Sequence, residues 1–138
     1  MTRTLLIIDD NKSVRESLRF LIMRRGYTVF VAENGTEGIA LAAKVRVDGA
    51  LIDVNMPGMN GIEVCRALRE QAAESGRQIA IWIMTGARTP QVTRQAADAG
   101  ALNVFGKPFD FADLFRRFEE QWGKHEPPAT PPMELDLL

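Results

Sequence analysis

The chain has 138 residues, 46% of them hydrophobic and 25% charged, and a formal net charge of −1. Such a make-up fits one globular domain with a full core, and it excludes the basic field that a nucleic-acid-binding module of its own would need. Cys65 is the sole cysteine, which excludes an internal disulfide and fits a reducing compartment, the cytoplasm.

No apolar run approaches the ~20 residues of a membrane span, and the run after Met1-Thr2-Arg3 is too short for a signal peptide. Strand and helix patterns then alternate along the chain. A first strand is expected over Thr4–Asp9. A helix follows over Lys12–Arg25, capped by Asn11 and stopped by Gly26. Tyr27–Ala32 reads as a second strand, and Glu37–Val45 as a second helix opened by Asn34-Gly35-Thr36. Gly49–Asp53 is apolar without alternation, the mark of a strand buried on both faces. The turn-rich Met56-Pro57-Gly58-Met59-Asn60-Gly61 leads into a helix over Ile62–Ser75. A continuously apolar strand over Ile79–Met84, a helix over Pro90–Ala99 stopped by Gly100, and a strand over Ala101–Phe105 come next. The last helix, Asp110–Trp122, carries Phe111, Leu114, Phe115, Phe118 and Trp122 at helical spacing, a core stripe.

Strands separated by helices imply right-handed crossovers and a parallel sheet covered on both faces. The fold class is therefore α/β, with a domain over residues 1–123. After Gly123 the periodicity stops. Residues 124–138 hold four of the seven prolines and are expected to form a disordered tail. Within it, Met133-Glu134-Leu135-Asp136-Leu137-Leu138 alternates acidic and apolar residues and can bind a groove or a neighbouring subunit.

Three of the strands end in residues suited to one chemistry. Leu5–Ile8 runs into Asp9-Asp10, Ala50–Ile52 into Asp53, and Leu102–Gly106 into Lys107-Pro108. In a parallel sheet the carboxyl ends share one edge, where open α/β sheets place their sites. Carboxylates crowded there repel unless a cation sits between them. Mg²⁺ suits such oxygens: Asp10 and Asp53 can bind it directly, the Asn55 backbone carbonyl can supply a third oxygen, and Asp9 can hold a coordinated water. Asp53 is the candidate nucleophile for a phosphoryl group, forming an acyl phosphate. Lys107 and Thr85 would neutralise or hydrogen-bond the phosphoryl oxygens, while Gly86 and Ala87 leave room for the group to enter. Taken singly, each has a plain explanation: Asp9 caps a helix, Thr85-Gly86 marks a turn, Lys107-Pro108 lies in a loop. The joint pattern at four strand ends is what points to function.

These residues resemble the receiver domain of bacterial two-component response regulators. The likeness rests on Ile8-Asp9-Asp10-Asn11, Asp53 through Gly61, Met84-Thr85-Gly86, and Ala99-Gly100-Ala101 through Lys107-Pro108-Phe109, and spans Thr4 to Trp122. The resemblance implies a flavodoxin-like five-stranded sheet of order 2-1-3-4-5 with five helices, and a cis peptide before Pro108. It implies that Asp53 is phosphorylated by a sensor histidine kinase or histidine phosphotransfer protein. Asp9, Asp10 and the Asn55 carbonyl would form the Mg²⁺ pocket, with Thr85 and Lys107 on the phosphoryl group. No enzymatic activity beyond the protein's own phosphorylation and dephosphorylation is implied. Without a recognisable output module, the sequence reads as a stand-alone receiver, signalling by protein contact, as a phosphorelay intermediate or as a phosphate sink, with a homodimer possible.

Two features are particular to this chain. The family commonly has an aromatic switch residue three places before the lysine; here Val104 stands there, with Phe105 beside it. A smaller or differently relayed change on phosphorylation is expected. On the first helix, Val14, Leu18, Leu21 and Ile22 form the core stripe, while Phe20 and Met23, flanked by Arg19 and Arg24, are expected to be exposed as a partner-docking pair.

Other classes fit less well. A haloacid-dehalogenase-like phosphatase would need its second acid where Asn11 stands. Asp9-Asp10 would repel the phosphate of a flavodoxin-like FMN binder. The main rival is a degenerate receiver acting as a phosphorylation-independent binding scaffold.

Overall fold

The computed structural model describes residues 2–108 and 110–124. All of the expected tail beyond Lys124 lies outside the described residues. Among those described, the elements run β1 (Thr4–Ile8), α1 (Lys12–Arg24), β2 (Thr28–Ala32), α2 (Gly35–Lys44), β3 (Gly49–Asp53), α3 (Gly61–Glu74), β4 (Ala80–Thr85), α4 (Pro90–Asp98), β5 (Asn103–Gly106) and α5 (Phe111–Trp122). The strands form one parallel sheet of order β2-β1-β3-β4-β5, as the resemblance implied.

Polar side chains fix the helix starts. Asn11 accepts from the Val14 N–H, Asn34 from Glu37, Thr89 from Val92 and Asp110 from Ala112. Asn60 and Glu63 complete a reciprocal capping box at α3. Because Asn34 is the cap, α2 opens at Gly35, two residues before the expected Glu37. Gly26 and Gly100, at φ 94° and 95°, end the first and fourth helices with a backbone conformation other residues rarely adopt.

The sheet divides the core by residue parity. Leu6, Ile8, Ala50, Ile52, Ile81, Ile83 and Val104 face an aliphatic layer made with α2, α3 and α4. Leu5, Ile7, Leu51, Trp82, Met84 and Phe105 face the opposite layer, with α1 and α5. Burial on both faces explains why β3 and β4 lack alternation. The second layer is aromatic: Phe118 lies 5.0 Å from Trp82, 5.4 Å from Tyr27 and 5.8 Å from Trp122, centroid to centroid. Cys65 is buried in the aliphatic layer, where desolvation pushes its thiol up to about 11, so it is inert.

The structure corrects several expectations. Asp9 falls just past β1, and Thr85 lies inside β4. β5 begins at Asn103; Ala101 and Leu102 stand outside it, and Leu102 is 47% exposed. Phe111 is not core but 38% exposed, because it opens α5 beside Pro108 and α1 rather than over the sheet. On α1, Leu18 and Ile22 are buried while Val14 and Leu21 are half-buried. Phe20 and Met23 are also half-buried, not exposed, and the Arg24 guanidinium covers the Phe20 ring at 5.3 Å.

Candidate functional site

Parallel pairing delivers four of the candidate side chains to one edge. Asp53 is the last residue of β3 and lies opposite Met84 in register. Thr85, one residue on, pairs with Gly106, so Lys107 emerges directly beside the site. The Lys107 N–H donates to the Thr85 carbonyl at 2.7 Å, extending the ladder one step beyond β5. The Lys107–Pro108 peptide is cis.

Asp9 is held from several directions. Its backbone N–H donates to the Ala32 carbonyl at 3.2 Å, its Oδ1 accepts from the Asn11 N–H at 2.9 Å, and Arg15 donates to its carbonyl at 2.8 Å. The Lys107 ammonium spans the two buried acids, donating to Asp9 Oδ2 at 2.7 Å and to Asp53 Oδ1 at 3.2 Å. Asp9 and Asp53 are 1% and 6% exposed, whereas Asp10 is open to solvent. Carboxylate oxygens of all three lie within 4.8 Å of one another.

Burial raises the Asp53 carboxyl above its ordinary value, and the Asp9 charge adds to this. Lys107 opposes the shift by charge and hydrogen bond. Burial by itself lowers Lys107, but its hydrogen bond to Asp9 and the charges of Asp53 and Asp9 outweigh that, so its pKa is raised and it stays an ammonium. Three acids and one ammonium leave a formal charge of −2 in a small volume. This is a set of hard oxygen donors with a deficit that a divalent cation matches, so the cluster can hold a metal ion. Asn55, two residues past Asp53, is exposed in the loop toward α3.

Thr85 is buried, and its hydroxyl is tied to the next turn: it accepts from the Ala87 N–H at 3.1 Å and donates to the Ala87 carbonyl at 3.3 Å. Gly86 faces open space. Val104 and Phe105 are both buried but on opposite faces of the sheet, so the Phe105 ring cannot stand in for an aromatic at position 104.

Sequence reasoning missed two contributors. Arg15, one turn beyond the cap Asn11, reaches back to the end of β1. Gly61 lets α3 start against the Asp53 backbone; a Cβ there would collide with the Asp53 carbonyl. The signal for Gly61 was its place just after the capping Asn60, but the close approach is visible only in three dimensions.

A doubly covered parallel sheet with acids, threonine and lysine gathered at its carboxyl edge is the architecture of a signalling receiver. The family model for the response regulator receiver domain matches residues 5–119, and the chain belongs to that family. It is 35% identical over 127 residues to the response regulator MprA of Mycobacterium sp. (strain KMS), covering 92% of this chain and 54% of the relative. To MprA of Mycobacterium ulcerans (strain Agy99) it is 37% identical over 117 residues, covering 85% and 49%. The chain thus spans about half the length of these curated relatives. Among solved structures, the Vibrio cholerae chemotaxis protein CheY4 superposes with a TM-score of 0.80 at 30% identity, over 87% of this chain and 98% of that one. A Burkholderia pseudomallei response regulator, solved with a phosphorylated aspartic acid, calcium ion and citrate, gives a TM-score of 0.74 at 26% identity, over 82% and 64%. The domain is a response regulator receiver of two-component signalling.

Proposed function

We propose that Asp53 is the phosphoacceptor of this receiver, supplied by a phosphohistidine on a sensor histidine kinase or histidine phosphotransfer protein. The observation that supports this most is the Lys107 ammonium bridging Asp9 and Asp53 within a cluster of three carboxylates. In the transfer, an Asp53 carboxylate oxygen attacks phosphorus, the phosphorus–nitrogen bond breaks, and the imidazole leaves with a proton from solvent. Lys107 exchanges its contact with Asp53 for one with the incoming phosphoryl oxygen while keeping Asp9. The Thr85 hydroxyl, at the same edge, releases the Ala87 carbonyl and donates to a second oxygen. Hydrolysis of the acyl phosphate by water returns free phosphate and the carboxylate.

Asp9, Asp10, Asp53 and the Asn55 carbonyl are the proposed ligands of Mg²⁺, which supplies charge neutralisation at the phosphoryl oxygens when bound. The phosphorylated aspartate and cation in the Burkholderia pseudomallei relative support the same pairing here. No helix among the described residues is long and apolar enough to cross a membrane, in keeping with a cytoplasmic role.

Output runs through contact with a protein partner, as a phosphorelay intermediate or a direct regulator. Phe20 and Met23 are the proposed docking pair on α1. A separate apolar groove of about 370 Å³, lined by Val14, Leu18, Lys107, Pro108 and Phe111, lies on another face of α1 beside the site. Because Val104 is small and buried, phosphorylation moves the β5–α4 face little; free and beryllofluoride-bound structures should differ there by side-chain adjustments only.

The test is phosphotransfer from a panel of phosphorylated histidine kinases to the wild type and to Asp53→Asn. Label on the wild type alone supports the reading; label on neither, with every kinase autophosphorylated, favours the scaffold alternative. Slower transfer to a folded Phe20→Ala, Met23→Ala variant supports the docking pair, and unchanged kinetics remove it.

A further inference from the structure

The opposite edge of the sheet carries a second cavity, of about 490 Å³, at the amino ends of the strands. Arg3 reaches it from the residue before β1, Arg46 from the α2–β3 connection, Arg69 from α3, and Arg77 from the α3–β4 connection. Asp48 is the one carboxylate in its lining, and it is already engaged. It accepts from the Thr4 N–H at 2.8 Å and pairs with Arg3 at 3.9 Å. Among the described residues, Arg46, Arg69 and Arg77 form no ion pair; Arg69 donates to the Ala99 carbonyl at 3.3 Å and lies against Gly100. Four arginines less one aspartate leave the cavity a formal charge of +3.

Its walls are also apolar. Leu102, the more exposed of the two large exposed hydrophobics among the described residues, and Trp122 both line it. Trp122 is firmly seated: Arg3 lies 5.8 Å above its ring, and a Cβ on Gly49 would stand 2.7 Å from it. A ligand matching this lining carries acidic groups together with apolar ones.

The chain itself supplies one. Residues 125–138 contain Glu126, Glu134 and Asp136 and no lysine or arginine, and Met133–Leu138 alternates acid with Met and Leu. This segment follows Lys124, two residues beyond the cavity wall at Trp122. The nine steps from Lys124 to Met133 can span about 28–30 Å at ~3.1–3.3 Å per residue. That is about twice the ~13 Å radius of gyration of a domain this size, so reach does not limit docking anywhere in the cavity. We propose that Met133–Leu138 docks in this cavity of its own chain, Glu134 and Asp136 toward the unpaired arginines and the apolar residues toward Leu102 and Trp122. The docking lies at the edge remote from Asp53, so it latches the amino edge of the sheet and leaves the acceptor site open.

The 138-residue chain tests this by ¹⁵N NMR and by cleavage after Glu134 with a Glu-specific protease. Substituting Glu134→Gln and Asp136→Gln should shift the Arg77 and Leu102 amides and the Trp122 indole N–H. The Arg46→Ala, Arg77→Ala protein should be cut at Glu134 about tenfold faster than wild type, the scale of two exposed ion pairs lost together. If that double variant is unfolded, the exposed Arg46→Ala alone supplies the same readout at about threefold. Unmoved cavity resonances and equal cleavage rates would overturn the proposal. Shifts that appear only as protein concentration rises would overturn it in favour of a second copy supplying the segment. An inert Asp53 would leave these results unchanged, so the two readings fail separately.

Discussion

The two edges of one sheet carry opposite charge. At the carboxyl edge Asp9, Asp10 and Asp53 crowd around a single lysine; at the amino edge four arginines surround a single aspartate. The strands between them are apolar throughout, so the charge difference owes nothing to the strands' interiors. It comes from residues at or beyond the strand ends, Asp53 closing β3 and Asp9 and Lys107 following β1 and β5, which parallel topology sorts by strand polarity. The edges also differ in what supports them. The acidic edge is tied by long-range hydrogen bonds between Lys107, Asp9 and Asp53, while the basic edge rests on the aromatic layer of Tyr27, Trp82, Phe118 and Trp122. Where polar groups are buried the contacts are specific and costly to break; where aromatics are buried the support is general.

That contrast can be broken from either side. The largest expected effect is on the aromatic layer. Phe118→Ala removes a fully buried ring touching four other rings and should cost about 3–5 kcal/mol in chemical denaturation. A loss below about 1 kcal/mol would mean that the layer is not the support described here. At the acidic edge, Lys107→Ala should slow phosphorylation by a small-molecule donor about 10²–10³-fold, the scale of removing one fixed donor from a developing charge. A wild-type rate in that variant would take Lys107 out of the site.

Metal binding distinguishes the edges by sign. Mg²⁺ at a hundredfold excess over its dissociation constant should stabilise the wild type by about 2.7 kcal/mol, seen as a rise in Tm that EDTA reverses. Asp10→Ala should abolish most of the rise, and Arg46→Ala should leave it intact. A rise that survives Asp10→Ala would place the ion elsewhere.

The smallest effect is on pH dependence. The Asp53 carboxyl titrates above its ordinary 3.8, through burial first and the Asp9 charge second. The folded state therefore holds that proton more tightly than the unfolded chain does. The stability this contributes is present below the ordinary value and lost as pH rises through the folded one. Asp53→Asn removes the titration, so in metal-free buffer its Tm should gain on the wild type as pH rises from about 3 to about 7. A difference that shrinks over that range would contradict the assignment of burial as the dominant cause.

Much of this was legible in the sequence, for reasons specific to each element. Continuous apolar runs at β3 and β4 declared strands buried on both faces, and the expected starts of α1, α3, α4 and α5 fall within a residue of those observed. The four site residues stood at strand ends, where periodicity alone locates them. What stayed hidden depends on contacts between distant segments. Phe111 has the spacing of a core residue, yet the loop carrying Pro108 turns it toward α1 and solvent. Phe20 looked exposed beside its arginines, but Arg24 folds over the ring. The need for glycine at Gly61 and Gly49 arises from the Asp53 carbonyl and the Trp122 ring, neither of which is near in sequence. The basic cavity was equally invisible, because its arginines come from four separate stretches of the chain: the residue before β1, the α2–β3 connection, α3 and the α3–β4 connection.

The most direct test is to incubate the protein with Mg²⁺ and acetyl phosphate and to weigh it intact beside Asp53→Asn. A gain of one phosphoryl group, about 80 Da, in the wild type and none in the variant is the predicted result. No gain in either, or an equal gain in both, would contradict Asp53 as the phosphoacceptor.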